Sequence, residues 1–361
     1  MKRLNQGRSL HIVQHLRPGG IESLALEMLR TGSGDTYILS LEGNKQEAVE
    51  AWPRLEAFSD KLIFMNKDSG FSFTLSARIR SVVSSLDVDV VHSHHIGPLI
   101  YAGLALKGLN LTHIHTEHDA WHLDNPKHQM LEKLLLKIAK PRLVADADLV
   151  AKKLQRHFPT VKISTITNGI DCNKFKPRSQ ALSRQLFGLP QGKTLVGCAG
   201  RLETVKGHAL LIKAMRFLPQ DIALAIAGSG SQKEQLKDLA SSLGLENRVY
   251  FLGQIEHVDH FYSALDLFCQ PSQCEGFPLA TLEAQSCGCR TVATDVGATS
   301  ETLAPQGSLL VKHRGVIGLS QALKAGLQGN SNYLREYVQT HHSIQIMTQK
   351  YAQLAVKKEY A

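Results

Sequence analysis

Short apolar runs alternate with amphipathic ones from end to end of this chain. Strand candidates lie at Leu10 to Gln14, Tyr37 to Leu41, Leu62 to Met65, Val88 to His92, Thr112 to Thr116 and Lys162 to Ile166. Between most of them the apolar positions recur at helical spacing, as in Ile21 to Arg30, Leu75 to Leu86 and Ile96 to Leu106. Strands alternating with helices at this interval predict a parallel sheet covered on both faces. The pattern pauses in the turn-rich stretch Asn168 to Arg178, which reads as a linker. It restarts with Thr194 to Ala199, Ile222 to Ala227, Val249 to Leu252, Leu267 to Gln270, Thr291 to Ala293 and Leu309 to Val311. An α/β chain with two Rossmann-like domains in tandem, residues 1–175 and 176–340, is the simplest solution. In the last segment, roughly Ser343 to Tyr360, Met347, Tyr351 and Leu354 fall at helical spacing and need a surface to pack on.

Composition narrows the class. A length of 361 residues exceeds one usual domain, and 43% hydrophobic with 20% charged residues is ordinary for a soluble globular protein. No apolar run approaches the roughly 18 residues that span a bilayer. The start, Met1 to Arg8, leads into a short strand rather than a signal-peptide core, so a cytoplasmic protein is expected. Six cysteines (Cys172, Cys198, Cys269, Cys274, Cys287 and Cys289) lack C-x-x-C spacing. They read as buried thiols rather than a zinc site or disulfides. The net charge of +9 suits nucleic acid, anionic lipid or phosphorylated metabolites. Basic residues are scattered, without interleaved aromatics or a recognisable nucleic-acid module, which leaves phosphate or a membrane surface. Met130 to Arg142 combines a leucine face with Lys133, Lys137, Lys140 and Arg142. It reads as an interfacial helix or, by preference, as a packed helix with a solvated basic edge.

Two segments carry candidate chemistry. In Glu275-Gly-Phe-Pro-Leu-Ala-Thr-Leu-Glu283, two carboxylates flank a loop-to-helix transition that follows a strand and a Pro271-Ser272 turn. Pro278 suits the first helical position, and Leu279 to Cys287 reads as helix. Glu275 and the amides of Gly276 and Phe277 would then offer hydroxyl acceptors and anion donors together. The competing reading makes Glu275 an ordinary helix-end charge and Glu283 part of a solvated face. In Gly200-Arg-Leu-Glu-Thr-Val-Lys-Gly207, Arg201 and Lys206 occupy a strand-to-helix turn before the helix His208 to Phe217. A guanidinium fork and an ammonium at a helix amino end suit a diphosphate.

These segments resemble glycosyltransferase family 4, whose members are retaining nucleotide-sugar enzymes of the GT-B fold. The likeness runs in order through Gly200-Arg-Leu, Lys206-Gly207, Ala227-Gly-Ser-Gly230, Phe251-Leu-Gly253, Pro271-Ser272, Glu275-Gly-Phe-Pro-Leu, Glu283-Ala284, Cys287-Gly288 and Val292-Ala-Thr-Asp-Val-Gly297. It extends to Pro18-Gly-Gly-Ile-Glu22, to Asn168-Gly-Ile-Asp171 with Phe175 and Pro177, and to the C-terminal helix. The resemblance implies two Rossmann-like domains facing across a cleft. Residues 1–175 would be the acceptor side and 176–340 the nucleotide-sugar side, with 341–361 returning to the N-terminal domain.

It also implies roles. Glu275 would hold hydroxyls of the donor sugar and Glu283 those of the nucleotide ribose. Arg201 and Lys206 would bind the diphosphate, helped by the amides of Phe277, Leu279 and Ala280. Leu252, Gly253 and Gln254 would meet the base. Gly19 and Gly20 would let the amino domain approach donor or acceptor. Thr116-x-His118 resembles the family's cleft histidine beside the donor sugar, while His92, His94, His113 and His115 read as structural. The nearest D-x-D, Asp87-Val-Asp89, lies where its strand begins, and no metal or cofactor is expected beyond the nucleotide-sugar, with a UDP-sugar the anticipated donor. The acceptor would be a glycolipid or saccharide of surface polysaccharide synthesis, with peripheral contact at an anionic inner membrane face. A sugar-nucleotide 2-epimerase and a non-catalytic GT-B assembly subunit are the alternatives. Three departures stand beside the site: Arg290 replaces a usual proline, Gly297-Ala-Thr-Ser-Glu301 lacks a second glycine and a proline, and the family's serine has no match in Val144-Ala-Asp-Ala-Asp148.

Overall fold

The computed structural model describes residues 7–32, 34–312 and 315–356. The leader reading at Met1 to Gln6 and the end of the C-terminal helix prediction fall outside them. The chain divides into two compact units, Met1–Gly169 with Ile344–Ala361, and Ile170–Ser343.

The first unit runs β1 (Ser9–Val13), α1 (Gly20–Thr31), β2 (Thr36–Ser40), α2 (Lys45–Ala51), β3 (Leu62–Phe64), α3 (Leu75–Leu86), β4 (Val90–His94), α4 (Ile96–Ala105), β5 (Thr112–Glu117), α5 (Pro126–Ala139), β6 (Arg142–Ala145), α6 (Asp148–His157) and β7 (Ile163–Thr165). Its seven strands form a parallel sheet in the order β3-β2-β1-β4-β5-β6-β7. Alternate side chains cover both faces, as a parallel sheet requires. Leu10, Ile12 and Val91 pack with Ile79, Val83 and Ala102 of α3 and α4. Val13 and Ile38 pack with Ala25, Leu26 and Leu29 of α1.

The second unit runs α7 (Gln180–Leu186), β8 (Thr194–Ala199), α8 (His208–Met215), β9 (Ile222–Ala227), α9 (Lys233–Ser242), β10 (Val249–Gly253), α10 (Val258–Ala264), β11 (Leu267–Gln270), α11 (Leu279–Ser286), β12 (Arg290–Thr294), β13 (Ser308–Val311), α12 (Val316–Leu327) and α13 (Leu334–His341). Its six strands take the order β10-β9-β8-β11-β12-β13. Every residue of β9, Ile-Ala-Leu-Ala-Ile-Ala, is buried, the mark of a central parallel strand. The final helix, α14 (Ile344–Ala355), belongs to the first unit. There Ile344, Met347 and Tyr351 join Leu24 and Met28 of α1 and Ile114, Val144 and Ile166 in one cluster, the packing surface the helical spacing called for.

Two expectations need correction. Arg142 is not on a helix with Lys133 and Lys137: α5 ends at Ala139, Lys140 turns into the left-handed region (φ 43°), and Pro141 precedes β6, a strand the apolar pattern did not reveal. A proline cannot extend the hydrogen-bonded turn, so the chain leaves the helix there. Pro278 is the N-cap of α11 rather than its first helical residue, with ψ 107° and the helix starting at Leu279. Among the described residues, no helix is long and apolar enough to cross a membrane.

Candidate functional site

In an open parallel sheet, ligands bind beyond the carboxyl ends of the strands where the strand order reverses. In the second unit that point lies between β8 and β11. The loops leaving these two strands are Gly200 to Gly207 and Pro271 to Pro278, the two segments that carry the candidate chemistry. They are bound to each other. Gln273 donates its amide to the Val205 carbonyl at 2.8 Å. Gly207 has φ 71°, and a Cβ there would lie 2.0 Å from the Pro271 carbonyl oxygen, so only glycine permits the approach. Gly297, with φ 53°, stands equally close behind Glu275: a Cβ would meet the Glu275 carbonyl oxygen at 1.7 Å.

The junction of the loops is a polar cluster. Glu275 Oε1 accepts from Lys206 Nζ at 2.6 Å, from Ser272 Oγ at 2.6 Å and from Gln270 Nε2 at 2.8 Å. Glu275 is only 8% exposed, so it is not a solvated helix-end charge. Three donors on one oxygen fix the orientation of the carboxylate. Gln270 Oε1 is buried without a partner among the described residues, an orphan acceptor beside Glu275 that costs about 1–3 kcal/mol until a donor reaches it. Gln270 and Ser272 escaped the sequence reading as site residues. Their signal was position, since they end β11 and open the loop to Glu275.

Glu283 is half-buried on α11 and accepts from the Tyr262 hydroxyl at 2.8 Å, which rules out the solvated-face reading. Burial, and next the Glu283 charge, push the Tyr262 hydroxyl well above the usual phenolic range. Among the described residues, no N-cap side chain takes the first-turn amides of α11, which include Leu279 and Ala280. Arg201 is exposed, and its side chain makes no hydrogen bond or ion pair among the described residues. Leu252, Gly253 and Gln254 lie at the end of the edge strand β10, on the same carboxyl side, with the Gly253 carbonyl accepting from the Gly228 amide at 2.7 Å.

His208 follows Gly207 at the start of α8 and is 2% exposed, with neither ring nitrogen partnered among the described residues. Burial, and next the Lys206 charge, lower its pKa to about 4. The unfolded imidazole titrates near 6.5, so the unfolded chain binds an extra proton between those values and stability is lost as pH falls through that window. We expect His208→Leu to flatten the difference in unfolding free energy, read from urea titrations, between about pH 7 and pH 5, by about 1–3 kcal/mol. An unchanged pH difference in the variant would refute this account.

The remaining candidates belong to the first unit, whose strand order reverses between β1 and β4. Gly19 caps α1 in an extended conformation, and Gly20 opens it. Among the described residues, a Cβ on Gly20 would meet nothing within 4 Å, and one on Gly19 would clash with the movable Glu22 side chain while lying at an ordinary 3.7 Å from the Arg17 carbonyl, so the backbone demands neither glycine. His118 is 5% exposed, and both its ring nitrogens are engaged. Nδ1 lies 3.2 Å from Asp146 Oδ2, and Nε2 lies 3.0 Å from His94 Nδ1. Asn168 Nδ2 donates to the same Asp146 oxygen at 2.8 Å. Asp146 was missed as a site residue, although it sits in the segment where the family's serine has no match. His92 Nε2 meets Thr116 Oγ1 at 2.8 Å, and His113 Nε2 and His115 Nδ1 share Ser93 Oγ at 2.9 Å each, so these three are buried with one ring nitrogen or more engaged. The structure therefore gathers Lys206, Glu275, Gly276, Phe277 and Leu279 around one junction, with Arg201 on the same loop as Lys206. His118, Gly19 and Gly20 lie in the other unit.

Residues 18–174 match Glycosyltransferase Family 4, and residues 179–339 match Glycosyl transferases group 1. Each of the two units thus matches a glycosyltransferase domain model. An uncharacterised glycosyltransferase of Haemophilus influenzae is 28% identical over 283 residues, 76% of each chain. The lipopolysaccharide core biosynthesis mannosyltransferase LpsB of Rhizobium meliloti is 36% identical over 189 residues, 50% of this chain and 53% of that protein. The fold is GT-B. Among solved structures, HepE of Anabaena in complex with UDP and glucose superposes with a TM-score of 0.80, covering 96% of this chain and 99% of that one at 19% identity.

Proposed function

We propose that the chain is a retaining glycosyltransferase that moves one sugar from a nucleoside diphosphate, with UDP-sugar the donor, to a lipid-linked or saccharide acceptor in surface polysaccharide synthesis. The carrying observation is the Lys206–Glu275 contact at the second unit's strand-order reversal. A cation, a buried carboxylate and uncapped helix amides there match a ligand with phosphate at one end and hydroxyls at the other. Glu275 and Gln270 Oε1 take hydroxyls of the donor sugar, and Glu283 takes those of the ribose. Lys206, Arg201 and the α11 amides hold the diphosphate. As the bond from the anomeric carbon to the phosphate oxygen breaks, these groups stabilise the charge that collects on the leaving diphosphate. The acceptor hydroxyl adds to the same face of the sugar, and the departing phosphate oxygen takes its proton. In this reading preorganised cations supply what a divalent ion supplies elsewhere, and the transfer step requires no metal. His118, in the first unit, is a further candidate on the family resemblance, its ring held by Asp146.

UDP as donor is supported by its presence in the HepE complex, and a lipopolysaccharide acceptor by the LpsB relative. Membrane contact is supported by α5. Leu135 and Leu136 are buried, while Met130, Leu134 and Ile138 form an exposed stripe beside the exposed Lys133 and Lys137. That combination suits an anionic lipid surface.

The test is incubation with a panel of nucleotide sugars, scoring transfer, hydrolysis and epimerisation. A labelled sugar moved to a glycolipid or saccharide acceptor supports the reading. An epimerised donor without transfer, or no nucleotide binding at all, overturns it. In the same assay Glu283→Gln is expected to weaken UDP binding by about 10-fold, the loss of one charge-assisted hydrogen bond, while turnover at saturating donor changes little. Equal UDP affinity in the variant would remove Glu283 from the ribose site.

A further inference from the structure

Beyond the transfer site, the first unit's sheet holds a column of imidazoles that the proposed reaction does not use. His11 of β1 lies directly opposite His92 of β4 in the parallel register, and His94 follows two residues later on the same face. We propose that His11, His92 and His94 form a binding site for one zinc ion.

The ligand set and its spacing fit that ion. The ring centroids are 5.0 Å apart for His11 and His92, 5.5 Å for His11 and His94, and 4.1 Å for His92 and His94. One ring nitrogen from each residue lies within 4.8 Å of the other two. His11 Nδ1 and His94 Nε2 are 3.2 Å apart. Two imidazole nitrogens at about 2.0–2.1 Å from a tetrahedral zinc are themselves about 3.3 Å apart. All three histidines are buried, at 4%, 2% and 0% exposure, so their ligand atoms are held by packing rather than by chance surface rotamers. Three histidines with a fourth position left open are a recurrent zinc ligand set.

Outer partners orient two of the three rings, as they do around most histidine-bound metals. Asp146 accepts from His118 Nδ1, which leaves His118 Nε2 to accept from His94 Nδ1. The His94 proton is thereby assigned to Nδ1, and Nε2 keeps its lone pair toward His11. His92 Nε2 is engaged by Thr116 Oγ1, itself 3.0 Å from the Tyr351 hydroxyl, so Nδ1 is the nitrogen left to bind. A cavity of about 930 Å³ is lined by His11 and His92 together with Arg8, Met28, Val90 and Tyr351. It gives an ion a route to the His11 and His92 rings. A second group in the same unit, Glu117, His122 and Glu132, has comparable spacing, but the Asp119 and Glu132 carboxylates raise the His122 pKa to about 10, so its ring is held as a cation rather than as a ligand. Without an ion, the contact between His11 and His94 is an ordinary N–H···N hydrogen bond. The experiment must separate the two states.

The full chain, prepared without an affinity tag and stripped with a chelator, is equilibrated with zinc chloride, freed of unbound metal by gel filtration and measured by elemental analysis. One zinc per chain is expected, with an X-ray absorption first shell of nitrogen and oxygen at about 2.0–2.1 Å and no sulfur. His92→Gln should abolish retention, Thr116→Val should weaken zinc affinity by about 10–100-fold, and Glu132→Gln should leave it unchanged. Should His92→Gln fail to fold, the wild-type absorption spectrum and Thr116→Val still decide. Three results each overturn the proposal: no zinc retained by the wild type, sulfur in the first shell, or zinc lost in Glu132→Gln.

Discussion

Glu275→Gln is expected to lower kcat/KM for sugar transfer by about 100-fold while leaving the affinity for UDP alone unchanged or slightly higher. The change preserves shape and removes charge. A hydrogen bond to a charged group contributes about 1.5–3 kcal/mol, and each 1.4 kcal/mol is a factor of ten. In the proposed site Glu275 meets the sugar, so the loss appears only with ligands that carry one. UDP lacks the sugar, and Lys206, released from its 2.6 Å contact with Glu275, is freer to meet phosphate. Thermal stability should fall as well, because the pair is largely buried, with side-chain exposures of 22% and 9%, and the amide leaves the Lys206 charge without its counter-ion. The measurements are steady-state transfer, UDP titration calorimetry and thermal unfolding of the same preparations. Undiminished transfer, or a UDP affinity that falls in step with it, would sink the assignment of Glu275 to the sugar.

Much of this architecture is legible in the amino-acid sequence because parallel sheets write themselves as short apolar runs. Ile222 to Ala227 is apolar throughout and becomes a strand with no exposed residue. Met347 and Tyr351, spaced for one helix face, become the buried face of α14. The four-residue strand β6 was not legible. Its Arg142-Leu-Val-Ala145 continues the leucine-rich periodicity of α5, and only Pro141 marks the break. For the site, spacing and the family resemblance pointed to Lys206 and Glu275 separately. Their direct contact depends on Gly207 and Gly297 letting three loops meet, a tertiary fact that no local pattern contains. The histidine column was illegible for the same reason. His11 and His92 stand 81 positions apart in the chain and become neighbours only through the register of β1 against β4.

Lys206→Ala is expected to be the most damaging single change in the second unit, lowering kcat/KM by about 10²–10³-fold, the cost of removing one preorganised charge stabiliser. It acts twice. It deletes the cation nearest the proposed diphosphate, and it leaves Glu275, 8% exposed, with only the neutral donors Ser272 and Gln270. Arg201→Ala provides the comparison. Arg201 is exposed and unpaired among the described residues, so its removal should weaken UDP binding by about 10-fold with no change in thermal stability. Arg201→Lys should restore part of the affinity, because a point charge replaces a planar fork. The decisive measurement is a double-mutant cycle. Residues in direct contact couple by about 0.5–3 kcal/mol, whereas distant ones add. Lys206→Ala with Glu275→Gln should therefore lose less activity than the sum of the two singles, while Arg201→Ala with Glu275→Gln should be close to additive. If Lys206 and Glu275 proved additive in transfer, their 2.6 Å contact would be a feature of the resting site alone, and the two groups would act on the donor without coupling to each other.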